Sequence, residues 1–154
     1  MSLPERVDVV VIGAGPAGST AAALLHAAGL GVLVVEKEVF PRFVIGESLL
    51  PRCMDLLREA GMLEAVAARG YIVKRGALFL REGERCVFDF SEQHTAGWGW
   101  TWQVPRADFD QTLVAAAQAM GVDVRFQHEV TSFEAGEDGA RVGVSGPDGA
   151  AMLA

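Results

Sequence analysis

The sequence predicts an α/β fold built on a parallel sheet, and three observations carry that expectation. An apolar run, Val9-Val10-Val11-Ile12, leads into spaced glycines at Gly13, Gly15 and Gly18. A helix-forming, alanine-rich stretch follows, and a second apolar run, Val32-Leu33-Val34-Val35, ends on an acid, Glu36. Strand, glycine turn, helix and strand in that order make a βαβ unit, whose strands lie parallel because the helix carries the chain back across the sheet.

The same segment is a near-complete dinucleotide-binding fingerprint, so the unit is Rossmann-like and an adenine dinucleotide is its expected ligand. Gly13 allows the tight turn off the strand, Gly15 lets the backbone approach a pyrophosphate, and Gly18 lets the helix pack close to the sheet. Pro16 suits the first helical turn, where its missing N–H costs nothing. The free N–H groups at that helix end and the positive pole of the helix hold phosphate without any lysine. Glu36 ends a strand parallel to the first, which brings its carboxylate near the glycine loop to accept from a ribose diol. It also repels a 2′-phosphate, which disfavours an NADP adenosine end. Ala17 and Lys37, flanking these positions, are expected among the cofactor-binding residues.

The rest of the chain departs from a nicotinamide-type domain. The first helix is expected over 16–28, ended by Gly29, and the second strand over 32–36. An irregular loop then carries Phe40-Pro41-Arg42-Phe43-Val44-Ile45-Gly46-Glu47-Ser48, before a helix over 50–60 that Gly61 stops and a short helix over 63–68. Alternating runs at 77–80 and 86–90, with Glu82-Gly83-Glu84 between them, predict an inserted antiparallel segment. A tryptophan-rich stretch ends in Gln103-Val104-Pro105-Arg106. The helix that follows places Phe109, Leu113, Ala117 and Met120 on one face. Residues 122–126 make a third parallel strand, 130–133 and 141–144 a hairpin turning at Glu137-Asp138-Gly139, and Pro147-Asp148-Gly149 turns into a last strand. The acidic run 134–138 reads as a solvated turn, and residues 1–12 as the leading strand.

A chain of 154 residues, 51 % of them hydrophobic, suffices for one domain with one core. The net charge of −7, with no cluster of Lys or Arg, speaks against nucleic acid or an anionic membrane surface as partner. Two isolated cysteines, Cys53 and Cys86, indicate neither a disulfide framework nor a zinc site and fit a reducing cytoplasm. No apolar stretch reaches about 18 residues without a charge or glycine cluster, so no integral membrane segment is expected. His26, His94 and His128 have no ligand spacing with Cys, Asp or Glu, and no metal site is expected.

Taken together, the order of motifs resembles the FAD-binding part of the flavoprotein monooxygenase superfamily, which includes para-hydroxybenzoate hydroxylase, geranylgeranyl reductases and flavin-dependent halogenases. The halogenase-like branch looks nearest. The residues that carry the resemblance are the glycine fingerprint, Glu36, Phe40-Pro41-Arg42, Gly46-Glu47-Ser48-Leu49-Leu50-Pro51, Lys74 with Gly76, and Gln103-Val104-Pro105-Arg106-Ala107-Asp108-Phe109-Asp110. The resemblance implies FAD as cofactor. It implies that Arg42 and Arg106 supply donors to the pyrophosphate and ribitol, the competing reading being solvated strand-end arginines. Gly46, Glu47 and Ser48 would pass the isoalloxazine; alternatively Ser48 caps a helix and Glu47 is an exposed loop acid. Glu129 and Val130 would edge the adenine through backbone atoms, or simply begin a strand.

Such proteins carry a second flavin motif, Asp-Ala-Ser-Gly or Gly-Asp, just after the strand that begins at the end of this sequence. The expectation is therefore an N-terminal, incomplete FAD-binding domain over 1–154, lacking that motif and the substrate domain. Lys74 stands where halogenases of this group carry a lysine between flavin tunnel and substrate, able to hydrogen-bond hypohalous acid or take the halogen; a solvated strand-edge lysine is the competing reading. Trp100-x-Trp102-x-Val104-Pro105 is similar to the halogenase Trp-x-Trp-x-Ile-Pro signature. In the family that signature lies well downstream, so these tryptophans are expected as aromatic packing at a pocket wall. The implied activity is oxidation through reduced flavin and O2 of a small organic substrate, by hydroxylation or halogenation, fed by a separate flavin reductase or NAD(P)H. Hydride transfer to an alkene, as in geranylgeranyl reductase, and a FAD-binding fragment without activity are the alternatives.

Overall fold

The central strand explains how the layers stack. In the computed structural model, which describes residues 3–137 and 139–154, β1 (Val9–Ile12), β2 (Val32–Glu36) and β7 (Asp123–Phe126) form a parallel sheet with β2 in the middle. Every residue of β2 is buried, as expected of a parallel strand covered on both faces. Its alternation divides the core in two. Val32 and Val34 face the helices, packing with Ala22, Ala23, Leu113 and Ala117, whereas Leu33 and Val35 face Val142, Val144 and Leu153. The helical layer is α1 (Pro16–Ala27), α2 (Arg52–Glu59), α3 (Leu63–Ala67) and α4 (Arg106–Ala119). The opposite layer is an antiparallel sheet of β8 (Glu129–Gly136), β9 (Gly139–Gly146) and β10 (Gly149–Leu153).

The inserted segment makes two small sheets. β4 (Gly76–Arg81) and β5 (Glu84–Asp89) form a hairpin whose turn, Glu82-Gly83, has positive φ at both residues, the geometry that matches strand twist. β3 (Ile72–Lys74) pairs antiparallel with β6 (Thr101–Gln103). The loop 47–49 then adds to the far edge of β6: the Val104 N–H donates to the Glu47 carbonyl at 2.8 Å and the Leu49 N–H to the Trp102 carbonyl at 3.2 Å. No helix among the described residues is long and apolar enough to cross a membrane.

Several boundaries differ from expectation. The leading strand starts only at Val9, because the Asp8 carboxylate turns aside to accept from the Gly31 N–H at 2.7 Å. Residues 5–7 instead exchange backbone hydrogen bonds with Ala154. The β8–β9 ladder runs further than the apolar pattern does, so 134–136 are strand and not turn: cross-strand hydrogen bonds propagate whatever the side chains are. Of the expected turn, Asp138 lies outside the described residues. Met120, expected on the buried face of α4, is 39 % exposed, and Asp110 and Val114 are buried in its stead.

A polar clasp ties the start of the insertion to α4. Arg69 donates from Nε to Asp108 Oδ2 at 2.9 Å and from Nη2 to Oδ1, while the Tyr71 hydroxyl donates to Oδ2 at 2.7 Å. These bonds, the Arg69 pair foremost, hold the Asp108 carboxyl below its ordinary pKa. A depressed folded-state pKa means the clasp stabilises above the unfolded carboxylate value of about 3.9 and fades as pH falls through the lower folded value. Urea midpoints of the native protein and Asp108→Asn should therefore differ at neutral pH, begin to converge at about pH 4 and meet only below the lower folded value. A gap that stayed constant across that range would exclude the ionised clasp as its cause.

Candidate functional site

The glycine loop is shaped by three local constraints. Gly13 has φ +93°, a conformation side chains rarely adopt, and continues the sheet by donating to the Val35 carbonyl at 2.8 Å. Gly15 is the N-cap of α1, with Pro16 in the first helical turn. At Gly18 a Cβ would lie 1.9 Å from the Gly13 carbonyl oxygen, so only glycine permits this closure of helix on turn. Gly15 is different: the one atom within 4 Å of a Cβ there is Arg42 Nη2, at 3.5 Å. Its missing side chain leaves open room beside the helix N-terminus, where the first-turn N–H groups have no intrahelical partner.

Glu36, expected to face a ribose, is 4 % exposed and holds the surrounding backbone. Its Oε2 accepts from the Ala14 N–H and its Oε1 from the Glu38 N–H, both at 2.9 Å, while its carbonyl accepts from the His128 N–H at 3.0 Å. The glycine loop, the outgoing loop and the β7–β8 turn all hang on this residue. Lys37 next to it is exposed. The Val130 side chain packs into the lower core beside Leu33 and Val35, so only its backbone is available to a ligand.

The solvated reading of the two arginines does not hold. Arg106 donates from Nε and Nη2 to Asp110 at 2.8 and 3.1 Å, and from Nη1 to the carbonyls of Ile45 and Gly46 at 3.0 and 3.4 Å. Gly46 has φ +104°, and a Cβ there would press on Arg106 Nη1 at 3.1 Å. Arg42 lies over the Phe40 ring and faces three carboxylates, Glu36, Glu38 and Asp110, at 3.8 to 3.9 Å. All three lie beyond hydrogen-bonding distance, and its buried Nε has no hydrogen-bond partner among the described residues. Asp110, which enters the sequence reading only within the run 103–110 and is given no role there, is 1 % exposed and pairs with Arg106. The Arg-x-x-x-Asp spacing on one helix face was the available signal.

Beyond Arg106, the loop reaches the inserted strands. Ser48 does not cap α2, whose first turn begins after Pro51 without a side-chain cap. Its hydroxyl donates to Gln103 Oε1 at 2.7 Å and accepts from Lys74 Nζ at 2.7 Å. Lys74 is therefore tethered, with the Phe90 ring 5.4 Å from its amine. Glu47 is exposed and lines a cavity of about 350 Å³ with Gly70, Tyr71, Ile72, Gln103, Val104 and Pro105. A larger cavity of about 670 Å³, between β1 and the β8–β9 hairpin, contains none of the glycine-loop residues. Trp98, Trp100 and Trp102 stack edge to face at 5.3 Å spacings against the helical core, and none of them, expected at a pocket wall, lines either of these cavities.

Residues 6–151 match the family described as FAD binding domain. The chain belongs to that family. This FAD-binding domain is 44 % identical over 124 residues, 80 % of its length, to a tryptophan 2-halogenase of Chondromyces crocatus, of which it spans 23 %. It spans about a quarter of the length of the curated relatives it matches. Among solved structures, a flavoprotein/dehydrogenase from Cytophaga hutchinsonii is 50 % identical with a TM-score of 0.89, over 97 % of this chain and 37 % of that one. The myxobacterial chondrochloren halogenase is 35 % identical with a TM-score of 0.85, over 97 % and 36 %. Hydroxylases are also among the solved structures alike in fold.

The residues fit FAD. Open space at Gly15, a buried arginine Nε without a hydrogen-bond partner among the described residues and a donor-rich helix end are what an extended, phosphate-bearing cofactor requires. Two glycine variants should separate the fold from the cofactor. Gly18→Ala should lose about 2 kcal/mol or more of stability, because its Cβ collides with backbone. Gly15→Val should keep its unfolding midpoint and lose FAD. Equal effects of the two variants on denaturation would show that the loop is not built as described.

Proposed function

We propose that this FAD-binding domain serves an oxidoreductase that halogenates a small organic molecule. The observation behind it is a line of polar contacts from Glu36 through Arg42, Asp110 and Arg106 to the Ile45–Gly46 turn, which the chain continues to Ser48 and its contact with Lys74. Such a line suits a long cofactor with its adenosine end at the glycine loop and its redox end near a tethered amine. Bound FAD supplies the electron transfer to O2 that oxidises halide or substrate.

The chain's own residues bind, orient and shield. Gly13, Gly15, Pro16, Ala17 and Gly18 present backbone to the pyrophosphate, Glu36 accepts from the ribose, and Lys37 and the Val130 backbone border the adenosine. Arg42 and Arg106 offer guanidinium donors to phosphate and ribitol oxygens, and Gly46, Glu47 and Ser48 pass close to the flavin ring. Lys74 Nζ, held by Ser48, has further N–H donors with which to orient an oxidised halogen species toward substrate. A flavin reductase or NAD(P)H is the matching electron donor. Free Cys53 and Cys86 suit a cytoplasmic setting. Hydroxylation is the second reading, favoured by the hydroxylases of like fold.

Lys74→Ala is the deciding variant. Assayed with a reductase, FADH2, O2 and chloride or bromide on a panel of aromatic substrates, it should still bind FAD and consume oxygen. Halogenated product should fall by about a hundredfold or more, the scale of a lost proton-donating group. A native protein that yields only hydroxylated product would select the second reading, and full halogenation by Lys74→Ala would remove the lysine from the chemistry.

A further inference from the structure

We infer that Asp110 is a positioning residue of the FAD site: one buried carboxylate that sets the placement of both guanidiniums and thereby controls how tightly the phosphate-bearing part of the cofactor is held. This rests on reading Arg42 and Arg106 as contacts to FAD.

An ionised carboxylate inside a helix layer is tolerated only when it is paired. Asp110 is 1 % exposed in the second turn of α4, and Arg106 pairs with it through a two-pronged fork one helical turn away. Because a guanidinium is planar and rigid, occupying Nε and Nη2 in that fork leaves Nη1 a single direction. That nitrogen is the one that reaches the Ile45 and Gly46 carbonyls. The fork thus braces the Ile45–Gly46 turn next to the expected flavin.

The same carboxylate acts on Arg42. Asp110 Oδ2 lies 3.8 Å from Arg42 Nη2, Glu36 Oε2 3.9 Å from the same nitrogen, and Glu38 Oε2 3.8 Å from Nε. Attraction shared among three carboxylates, none close enough for a hydrogen bond, holds the group beside Gly15 with donors unspent. Without Asp110 only Glu36 and Glu38 pull on the group, and Arg42 swings away from the phosphate position.

The sign of the effect separates this idea from simple charge. A negative carboxylate near a pyrophosphate repels it, so a Coulombic account has Asp110→Asn binding FAD more tightly. Positioning has it binding more weakly. Apoprotein is titrated with FAD by flavin fluorescence, and with ADP and adenosine by competition. Asp110→Asn should weaken FAD and ADP by about tenfold or more, the scale of one charge-assisted hydrogen bond, and adenosine by less than about twofold. Asp110→Glu, which keeps the charge on a longer stem, should fall between. Unchanged or tighter FAD binding overturns the inference, as does parallel weakening of ADP and adenosine, which marks a role in the fold alone. If Asp110→Asn does not fold, Asp110→Glu decides by the same ADP-to-adenosine comparison. Arg42→Ala and Arg106→Ala tell the two levels apart. If neither lowers FAD affinity, the reading of the arginines has failed; if they do and the Asp110 variants do not, only this inference has.

Discussion

The hydrogen bond from the Ala14 N–H to the buried carboxylate of Glu36 is the contact on which the cofactor cleft depends. It joins the glycine loop to the end of the central strand, and the other carboxylate oxygen holds the outgoing chain at Glu38. Each such charge-assisted bond contributes roughly 1.5 to 3 kcal/mol, and loss of the carboxylate would leave buried N–H groups unpaired. An acid conventionally read as a ribose ligand is thus also the structural pin of the loop that faces the phosphates. Its second job explains why it is so deeply buried in a chain that otherwise exposes most of its charge.

Electrostatics in the cleft are balanced locally and not by the net charge. The chain carries −7 overall, yet backbone N–H groups and two guanidiniums are concentrated at one place, where the proposed reading puts the anionic cofactor. Those guanidiniums are held by acids that would themselves repel phosphate. The arrangement trades attraction for direction. Arg106 is locked in a fork, and Arg42 is suspended among three carboxylates without a hydrogen bond to any of them.

The inserted strands give the site its second end. Lys74 and Gln103 lie on different strands of a two-stranded sheet, and Ser48 joins them only because residues 47–49 add to the edge of β6. That pairing fixes a loop that would otherwise have no backbone partners, and it brings an amine and a hydroxyl within 2.7 Å of each other. The tryptophan ladder packs behind this edge, with Trp98 donating to Asp55 on α2 at 3.1 Å. Aromatic packing and edge pairing together hold the Ser48–Lys74 end of the site.

The sequence by itself determined the βαβ unit, the glycine loop and the acid at its end, because each depends on short-range rules: apolar periodicity, positive φ at Gly13, and the steric demand at Gly18. It also determined the β4–β5 hairpin through Glu82-Gly83, and the parallel placement of β7. Only the tertiary structure decided what the arginines do, since their partner Asp110 and the carbonyls of Ile45 and Gly46 come from separate segments brought together by packing. Burial of Asp110 ran against its residue type and was not legible in a periodic pattern of apolar residues. The Lys74–Ser48–Gln103 chain was hidden for a related reason: pairing across 26 and 55 residues is set by which strand edges meet, a property of the assembled sheet and not of any local run.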